Sequence, residues 1–460
     1  MGAEYSIDMK KALDDLLQGP KFPNREFVQG TTFGEIYAMA AHLRAVLGER
    51  QPGQAVCLAA GSKAVMAAAL LAALAGGPPL LLPYAFSAGA LAQLQQATGF
   101  TTAIADTARD FPEDILVIRP QVPEVEERAE AVQMPVSPAA SPGTELLKIF
   151  TGGSTGTPQL WSKTAANLFG EGFFLAECFE VTNEDCILAT IPPYHIYGLL
   201  FSVILPLVSS ATVVAATPSF PGEIVEAAEE HEVTILASVP VHYRVLRDRK
   251  ISEENALRLA FSSAGMLDAD DNLAFSKTNG IGVVEVYGST ETGGIATRNR
   301  ALGEDFFTPF PTIAWKVAGD RLAVRSPYIS PDLPVDGEGY FIAGDRVEAR
   351  GAQFSLQGRA DSVTKVGGKR VDLEEIGQLI KGEAGVTDCV VMALPETGGR
   401  EHRIGALIQG EAADLEGIRK KLAETLEPYA LPRRLKKVER LPMTQNGKYD
   451  WAAIVQLLEE

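Results

Sequence analysis

The sequence predicts an α/β fold: a large N-terminal body of parallel-rich sheets flanked by helices, a small β subdomain, and a small α+β C-terminal domain. Three observations carry this. Apolar strand-like runs alternate with helical runs through roughly the first three hundred residues, the rhythm that builds parallel sheets covered on both faces. Beyond about residue 300 the chain turns to short segments punctuated by Gly, Pro and Asp. The formal charge of −18 is uneven: residues 359–460 carry 16 basic and 17 acidic side chains, which leaves −17 on residues 1–358.

Taken in order, residues 55–83 read as a strand (AVCLA), an Ala-rich helix (AVMAAALLAALA), a Gly/Pro turn and a second apolar strand (LLLP). Residues 120–143, rich in Pro, Glu and Ser, read as a surface connector. The alternation returns in 186–218, an apolar helix leading to ATVVAA, and in 221–239, where EIVEAAEEHE precedes VTILASV. RLAVRS, YFIAGDRVEA and FSLQG then predict antiparallel strands of the β subdomain. GRADSVTKVGGKRVDLEEIGQLI follows, with a helix, strands and a last helix. Texture and charge change together near Gly358, predicting domains 1–357 and 358–460. With 460 residues, 46% hydrophobic, the chain can bury large cores.

An acidic chain of 41 Lys+Arg against 59 Asp+Glu argues against a phosphate-backbone binder. Cys57, Cys178, Cys186 and Cys389 form no CxxC pair, which argues against a disulfide scaffold or a zinc site and for a cytoplasmic location. The N-terminus, MGAEYSIDMKKALDDLL, lacks the pattern of an export signal. Two long uncharged stretches, 64–83 and 199–218, have the length of membrane spans. Both are interrupted by Gly, Pro or Ser, and a buried helix followed by a buried strand explains each more simply.

Five short stretches carry chemistry. Thr151-Gly152-Gly153-Ser154-Thr155-Gly156-Thr157-Pro158 follows the apolar LLKIF. It suits either a phosphate cradle of backbone N–H groups and hydroxyls or a flexible linker, and it lacks the Gly-Lys-Ser/Thr of a Walker loop. Tyr287-Gly288-Ser289-Thr290-Glu291-Thr292-Gly293-Gly294 follows GVVEV. A carboxylate beside hydroxyls suits a hard divalent cation bridging to a triphosphate, and the same residues suit a capped helix start. Gly344-Asp345 ends a strand, where an Asp serves a turn or holds a pair of ribose hydroxyls. Gly358-Arg359-Ala360-Asp361 precedes Lys365, Gly367, Gly368 and Arg370. Near the C-terminus, Asn446-Gly447 makes a tight turn that projects Lys448, alone an ordinary surface charge.

In this order and together, these stretches resemble the AMP-forming acyl-adenylate superfamily of acyl-CoA synthetases, peptide-synthetase adenylation domains and luciferases. The resemblance runs from about residue 30 to 451. It implies that Thr151 to Thr157 form the mobile phosphate loop, that Tyr287 and Gly288 lie by the adenine, Thr290 by the α-phosphate and Glu291 at Mg²⁺. Asp345 and Arg359 resemble the pair that grips the ribose, Asp361 the hinge of a mobile C-terminal cap, and Lys448 the lysine that reaches the carboxylate and α-phosphate oxygens. Pro192-Pro193-Tyr194-His195-Ile196-Tyr197-Gly198 matches the segment bordering the acyl pocket, though His195 alone also suits a core histidine at a helix start. Ser262-Ser263-Ala264-Gly265-Met266 resembles the loop between nucleotide and acyl group, with Gly265 allowing close backbone approach.

The implied reaction is that of an AMP-forming acid–thiol ligase: ATP and a carboxylic acid give an acyl-adenylate, and after cap rotation a thiol displaces AMP. The Lys365 to Arg370 loop, with Gly367 and Gly368, then serves the pantetheine channel. The finer resemblance is to compact ligases of aryl-polyene-type biosynthesis, which implies an aromatic or medium acyl acid handed to CoA or to an acidic acyl-carrier protein. Arg433, Arg434, Lys436, Lys437 and Arg440 suit either thiol donor and equally an ordinary solvated face. Two departures stand out: Gln159 occupies the place of the lysine that follows the phosphate-loop proline, with Lys163 four residues later, and Gly377 stands where a carboxylate is usual. Gln159 leaves a nucleotide-binding pseudoenzyme as an alternative, alongside a ligase that stops at the adenylate.

Overall fold

The computed structural model describes residues 7–120, 141–151, 159–251, 256–359, 363–366, 369–394, 403–426, 428–444 and 449–460. The predicted connector over 120–143 lies almost wholly outside them. The chain divides into two compact units: residues 1–314 with 325–339, and residues 315–324 with 340–460. Gly358, where texture and charge change, lies in the second unit within the strand Gln353–Arg359, which pairs antiparallel with Phe341–Arg350. Pairing continues there because the glycine's positive φ of 87° bends the strand without ending it.

The first unit holds two sheets. One has six strands in the order Leu116–Ile118, Thr102–Ala105, Val56–Ala59, Leu80–Leu82, Glu145–Thr151 and Gln159–Thr164. Every neighbouring pair is parallel except the last, a hairpin. The predicted βα unit over 55–83 is present, with Ser62 capping the helix Lys63–Leu74 through its hydroxyl. All twelve residues of that helix are buried, because it packs against strands of both sheets at once. Its uniform apolarity reflects enclosure by protein, and among the described residues no helix is long and apolar enough to cross a membrane.

The second sheet has nine strands, with six consecutive ones, Val283–Ser289, Leu259–Ser262, Ile235–Ser238, Cys186–Ala189, Thr212–Val213 and Glu26–Val28, in parallel. The helix predicted in 186–218 is not continuous. Ile196–Leu199 and Leu205–Ser209 are α-helical, and Leu200–Ile204 between them is a π-turn. Pro206, which lacks an N–H, and the Ser202 hydroxyl bonded back to the Gly198 carbonyl (2.7 Å) account for the altered ladder.

The second unit contains the predicted antiparallel strands, Arg321–Arg325 up to Val324, Phe341–Arg350 and Gln353–Arg359, and an α+β end. There the helices Leu373–Lys381, Leu415–Thr425 and Trp451–Glu459 accompany a sheet of Asp388–Leu394, Arg403–Gln409 and Arg434–Val438, and Ile376, Ile380, Ile404 and Leu422 contribute to its core.

Candidate active site

Open α/β sheets place ligands beyond the carboxyl ends of their parallel strands. Each chemistry-bearing stretch of the first unit follows such an end. The strand Glu145–Thr151 runs parallel to Leu80–Leu82 and returns antiparallel as Gln159–Thr164, with Thr151 opposite Gln159. Gly152, Gly153, Ser154, Thr155, Gly156 and Thr157 lie outside the described residues. Buried Ile149 and Phe150 anchor the strand that leads to them.

The stretch from Tyr287 to Gly294 is a hairpin, which corrects the alternative of a capped helix start. Val283–Ser289 and Gly293–Arg298 pair antiparallel, with Tyr287 opposite Ala296 and Gly288 opposite Gly294. Glycine is required at two places. A Cβ at Gly288 would meet the Gly293 carbonyl oxygen at 2.3 Å, and Gly293 has a φ of +70°. The turn is closed by a 3.0 Å contact between the Ser289 and Thr292 hydroxyls and by the Thr292 N–H donating to Ser289 Oγ (3.2 Å). At its tip, the Thr290 hydroxyl and the Glu291 carboxylate have no hydrogen-bond or ion-pair partner among the described residues. At its base, Arg298 grips Glu285 across the strands through two bonds of 3.0 and 2.9 Å, and Arg298 also lies 4.2 Å over the Phe307 ring. Tyr287 packs against that same ring, centroids 5.6 Å apart.

Beneath this turn lie two charges that belong to no recognised motif. Lys163 is 2% exposed; its Nζ donates to the Glu291 carbonyl (3.2 Å) and the Tyr328 carbonyl (2.9 Å). Burial lowers its pKa to about 8, against the opposing pull of Glu171 and Glu291. Glu171 accepts the Gly294 N–H at 2.7 Å. Burial pushes its carboxyl up, opposed by that bond and by Lys163. Lys163 therefore points into the protein, engaged with main chain.

His195 is the residue before the short helix Ile196–Leu199, and its side chain makes no capping bond. Its ring stands 4.7 Å from Tyr194, which stands 4.4 Å from Phe86, over which Arg109 lies at 3.9 Å. Asp106 holds Arg109 at 3.0 Å. Gly198 permits the turn, since a Cβ there would lie 2.1 Å from the Pro192 carbonyl oxygen. In the Ser262–Met266 stretch the close backbone approach expected at Gly265 is not found among the described residues, since a Cβ there would meet only the Pro240 ring at 3.5 Å, and it is Ala264, at φ 68°, that takes a left-handed conformation. The Ser263 hydroxyl ties this stretch to the Val286 carbonyl at 2.8 Å.

One cluster at the same strand ends has no sequence signature. His242 Nδ1 lies 2.9 Å from Thr190 Oγ1 and 3.1 Å from Ser238 Oγ, and those hydroxyls are 2.7 Å apart. Burial lowers the His242 pKa to about 4, which keeps the ring neutral.

In the second unit, strand register places Asp345 directly opposite Arg359. Asp361, Gly367, Gly368 and Lys448 lie outside the described residues. Of the basic cluster, Arg433, Arg434, Lys437 and Arg440 are exposed, on or beside the strand Arg434–Val438 at the edge of its sheet.

The family model described as AMP-binding enzyme matches residues 18–346, and that of the AMP-binding enzyme C-terminal domain matches 375–448. A sulfoacetate–CoA ligase of Cupriavidus necator is 26% identical over 68% of this chain and 67% of its own. A 4-coumarate–CoA ligase of Halorhodospira halophila is 30% identical over 67% of this chain and 76% of its own. Among solved structures, ATP-bound MatB from Rhodopseudomonas palustris superposes with a TM-score of 0.81 at 19% identity, covering 99% of both chains. The o-succinylbenzoate CoA synthetase of Bacillus subtilis with ATP and magnesium gives 0.77 at 18% identity, covering 98% of this chain and 99% of its own.

Proposed function

From the premise that the chain belongs to the AMP-binding enzyme family and is an ATP-dependent, AMP-forming acid–thiol ligase, we propose the following division of labour among its residues. Thr290 and Glu291, at the tip of the second hairpin, face the triphosphate: Thr290 donates to the α-phosphate, and Glu291 holds Mg²⁺. The donor set fits a hard cation, since a half-buried carboxylate at the turn makes no hydrogen bond or ion pair among the described residues, Lys163 acting on it only through its charge from beneath. When bound, Mg²⁺ neutralises charge on the phosphate oxygens. Thr151 to Thr157 cradle the β- and γ-phosphates, Tyr287 and Gly288 flank the adenine, and Asp345 with Arg359 binds the ribose. Lys448 stabilises the charge that builds as the acid's carboxylate attacks the α-phosphate and pyrophosphate leaves. A thiol then attacks the acyl carbonyl carbon and AMP departs, after the C-terminal cap has turned about Asp361 and brought Gly367 and Gly368 to the pantetheine.

The observation that carries this reading is the display of Thr290 and Glu291 on a turn braced at its base and from beneath. We assign the acid to the aromatic or medium acyl class, because His195 stands with Tyr194 and Phe86 in an aromatic group at the carboxyl side of the sheet. CoA is the acceptor. The exposed cations Arg433, Arg434, Lys437 and Arg440 support an acidic carrier protein as a second acceptor. Four unpaired cysteines accord with a cytoplasmic location.

The test is pyrophosphate release across a panel of carboxylic acids, with CoA, with phosphopantetheinylated carrier protein and with neither. The expected result is release that depends on an aromatic or medium acyl acid and a thioester that appears only with a thiol. Tight ATP binding with no acid-dependent release would support a pseudoenzyme.

A further inference from the structure

We propose that Lys163 and Glu171 act together as a positioning pair that aims Glu291. The inference rests on the reading of Glu291 as the Mg²⁺ ligand. The Glu291 carbonyl oxygen receives two donors, Lys163 Nζ at 3.2 Å and the Ser330 N–H at 2.7 Å. Three residues on, the Gly294 N–H is taken by Glu171 at 2.7 Å. Both ends of the segment from Glu291 to Gly294 are therefore fixed from beneath, while the Glu291 side chain stays available.

The fit leaves no slack. A Cβ at Gly293 would lie 2.8 Å from Glu171 Oε2, and one at Gly294 2.9 Å from Glu171 Oε1, so the carboxylate occupies the space those two glycines leave. Lys163 also bonds the Tyr328 carbonyl, tying the turn to the segment that carries Ser330. Apolar side chains of similar volume would fill the same space without the cost of desolvating two charges. What the charged pair alone supplies is donors at one end of the turn and an acceptor at the other.

The pair is also close in the chain. Lys163 lies on the strand Gln159–Thr164, which pairs antiparallel with Glu145–Thr151. Glu171 lies on the next helix, Ala165–Cys178. The two members of the pair thus sit on consecutive elements of one stretch of chain, eight residues apart. This positioning role adds nothing to the chemistry itself, because both side chains engage main-chain groups of the turn.

The experiment compares Lys163→Met, the double variant Lys163→Met/Glu171→Gln and the reference Glu291→Gln with the parent chain. Calorimetry measures ATP binding at graded Mg²⁺ and without it, and a second assay follows thioester formation from supplied acyl-adenylate. Both Lys163 variants are expected to need about tenfold to a hundredfold more Mg²⁺ for half-maximal ATP binding. Metal-free ATP binding and thiol transfer stay close to the parent's. The double variant removes both buried charges, so its melting temperature lies nearer the parent's while the Mg²⁺ defect persists. Parental Mg²⁺ dependence in the double variant, with Glu291→Gln shifted, overturns the inference alone. Parallel loss of both half-reactions reduces the pair to a structural role and also overturns it. Unchanged Mg²⁺ dependence in Glu291→Gln overturns the metal reading, and the inference with it.

Discussion

Lys63 and Lys163 are both 2% exposed, and each donates its Nζ to two main-chain carbonyls, yet they stand in different regions for different ends. Lys63 opens the buried helix between the two sheets and reaches the carbonyls of Val214 and Ala216, at the end of a strand of the nine-stranded sheet. Lys163 reaches the carbonyls of Glu291 and Tyr328. Burial lowers both pKa values, to about 7 for Lys63 and about 8 for Lys163. Of the two, Lys163 is supported by the carboxylates Glu171 and Glu291, whereas the group opposing the shift of Lys63 is the Cys186 thiol, itself pushed up to about 11 by burial. The same device joins two sheets in one place and braces, in the other, the turn proposed to face the triphosphate. What distinguishes them is the owner of the carbonyl.

A third lysine sets the upper end of the scale. Lys448→Ala is expected to lower adenylation about a hundredfold to a thousandfold while sparing thioester formation from supplied acyl-adenylate. Equal loss in both half-reactions would contradict the role given to Lys448. Next comes the contrast itself. Lys163→Met should lower adenylation about tenfold or more at limiting Mg²⁺. Lys63→Met should leave the rate per folded molecule near the parent's and cost about 1–3 kcal/mol of stability through unpaired carbonyls. A Lys63 variant as impaired in adenylation as the Lys163 variant would break the comparison.

A pH test sharpens it. Burial lowers the pKa of Lys63 in the folded chain to about 7, whereas the unfolded chain keeps the ordinary lysine value of 10.5. Between those values the unfolded state binds more protons, so stability rises with pH, by at most about 1.4 kcal/mol per unit from this group. Urea midpoints at pH 7 and 9 should therefore show a smaller rise for Lys63→Met than for the parent. An identical rise would mean that Lys63 is not buried in solution. The smallest effect is expected of Gln159→Lys, which places a positive charge beside the proposed phosphate loop and should leave adenylation unchanged or severalfold faster. Abolition would give Gln159 a role of its own.

Much of the alternation was legible in the sequence, because strands buried on both faces are unbroken apolar runs and Gly/Pro pairs punctuate them. The π-turn at Leu200–Ile204 was not, since an apolar run looks the same whichever carbonyl its N–H groups choose. Tyr287 to Gly294 stood out as a unit of chemistry, but its glycines suit a hairpin and a helix start equally until strand pairing decides. Lys163 drew notice only for its distance from Gln159. Its signal was weak but present: a lone lysine in LWSKT and a lone glutamate in NLFGEGFF, opposite charges in neighbouring apolar segments. The grouping of His242, Thr190 and Ser238 had none, because strand order brings together residues about fifty positions apart.

The most direct test of the ligase chemistry is product stoichiometry with the best acid of the panel, ATP, Mg²⁺ and CoA, following nucleotide, pyrophosphate and thioester together. The account predicts AMP, pyrophosphate and acyl-CoA in equal amounts, with free acyl-adenylate accumulating when CoA is withheld. Formation of ADP and phosphate, or nucleotide turnover indifferent to the acid, would contradict it.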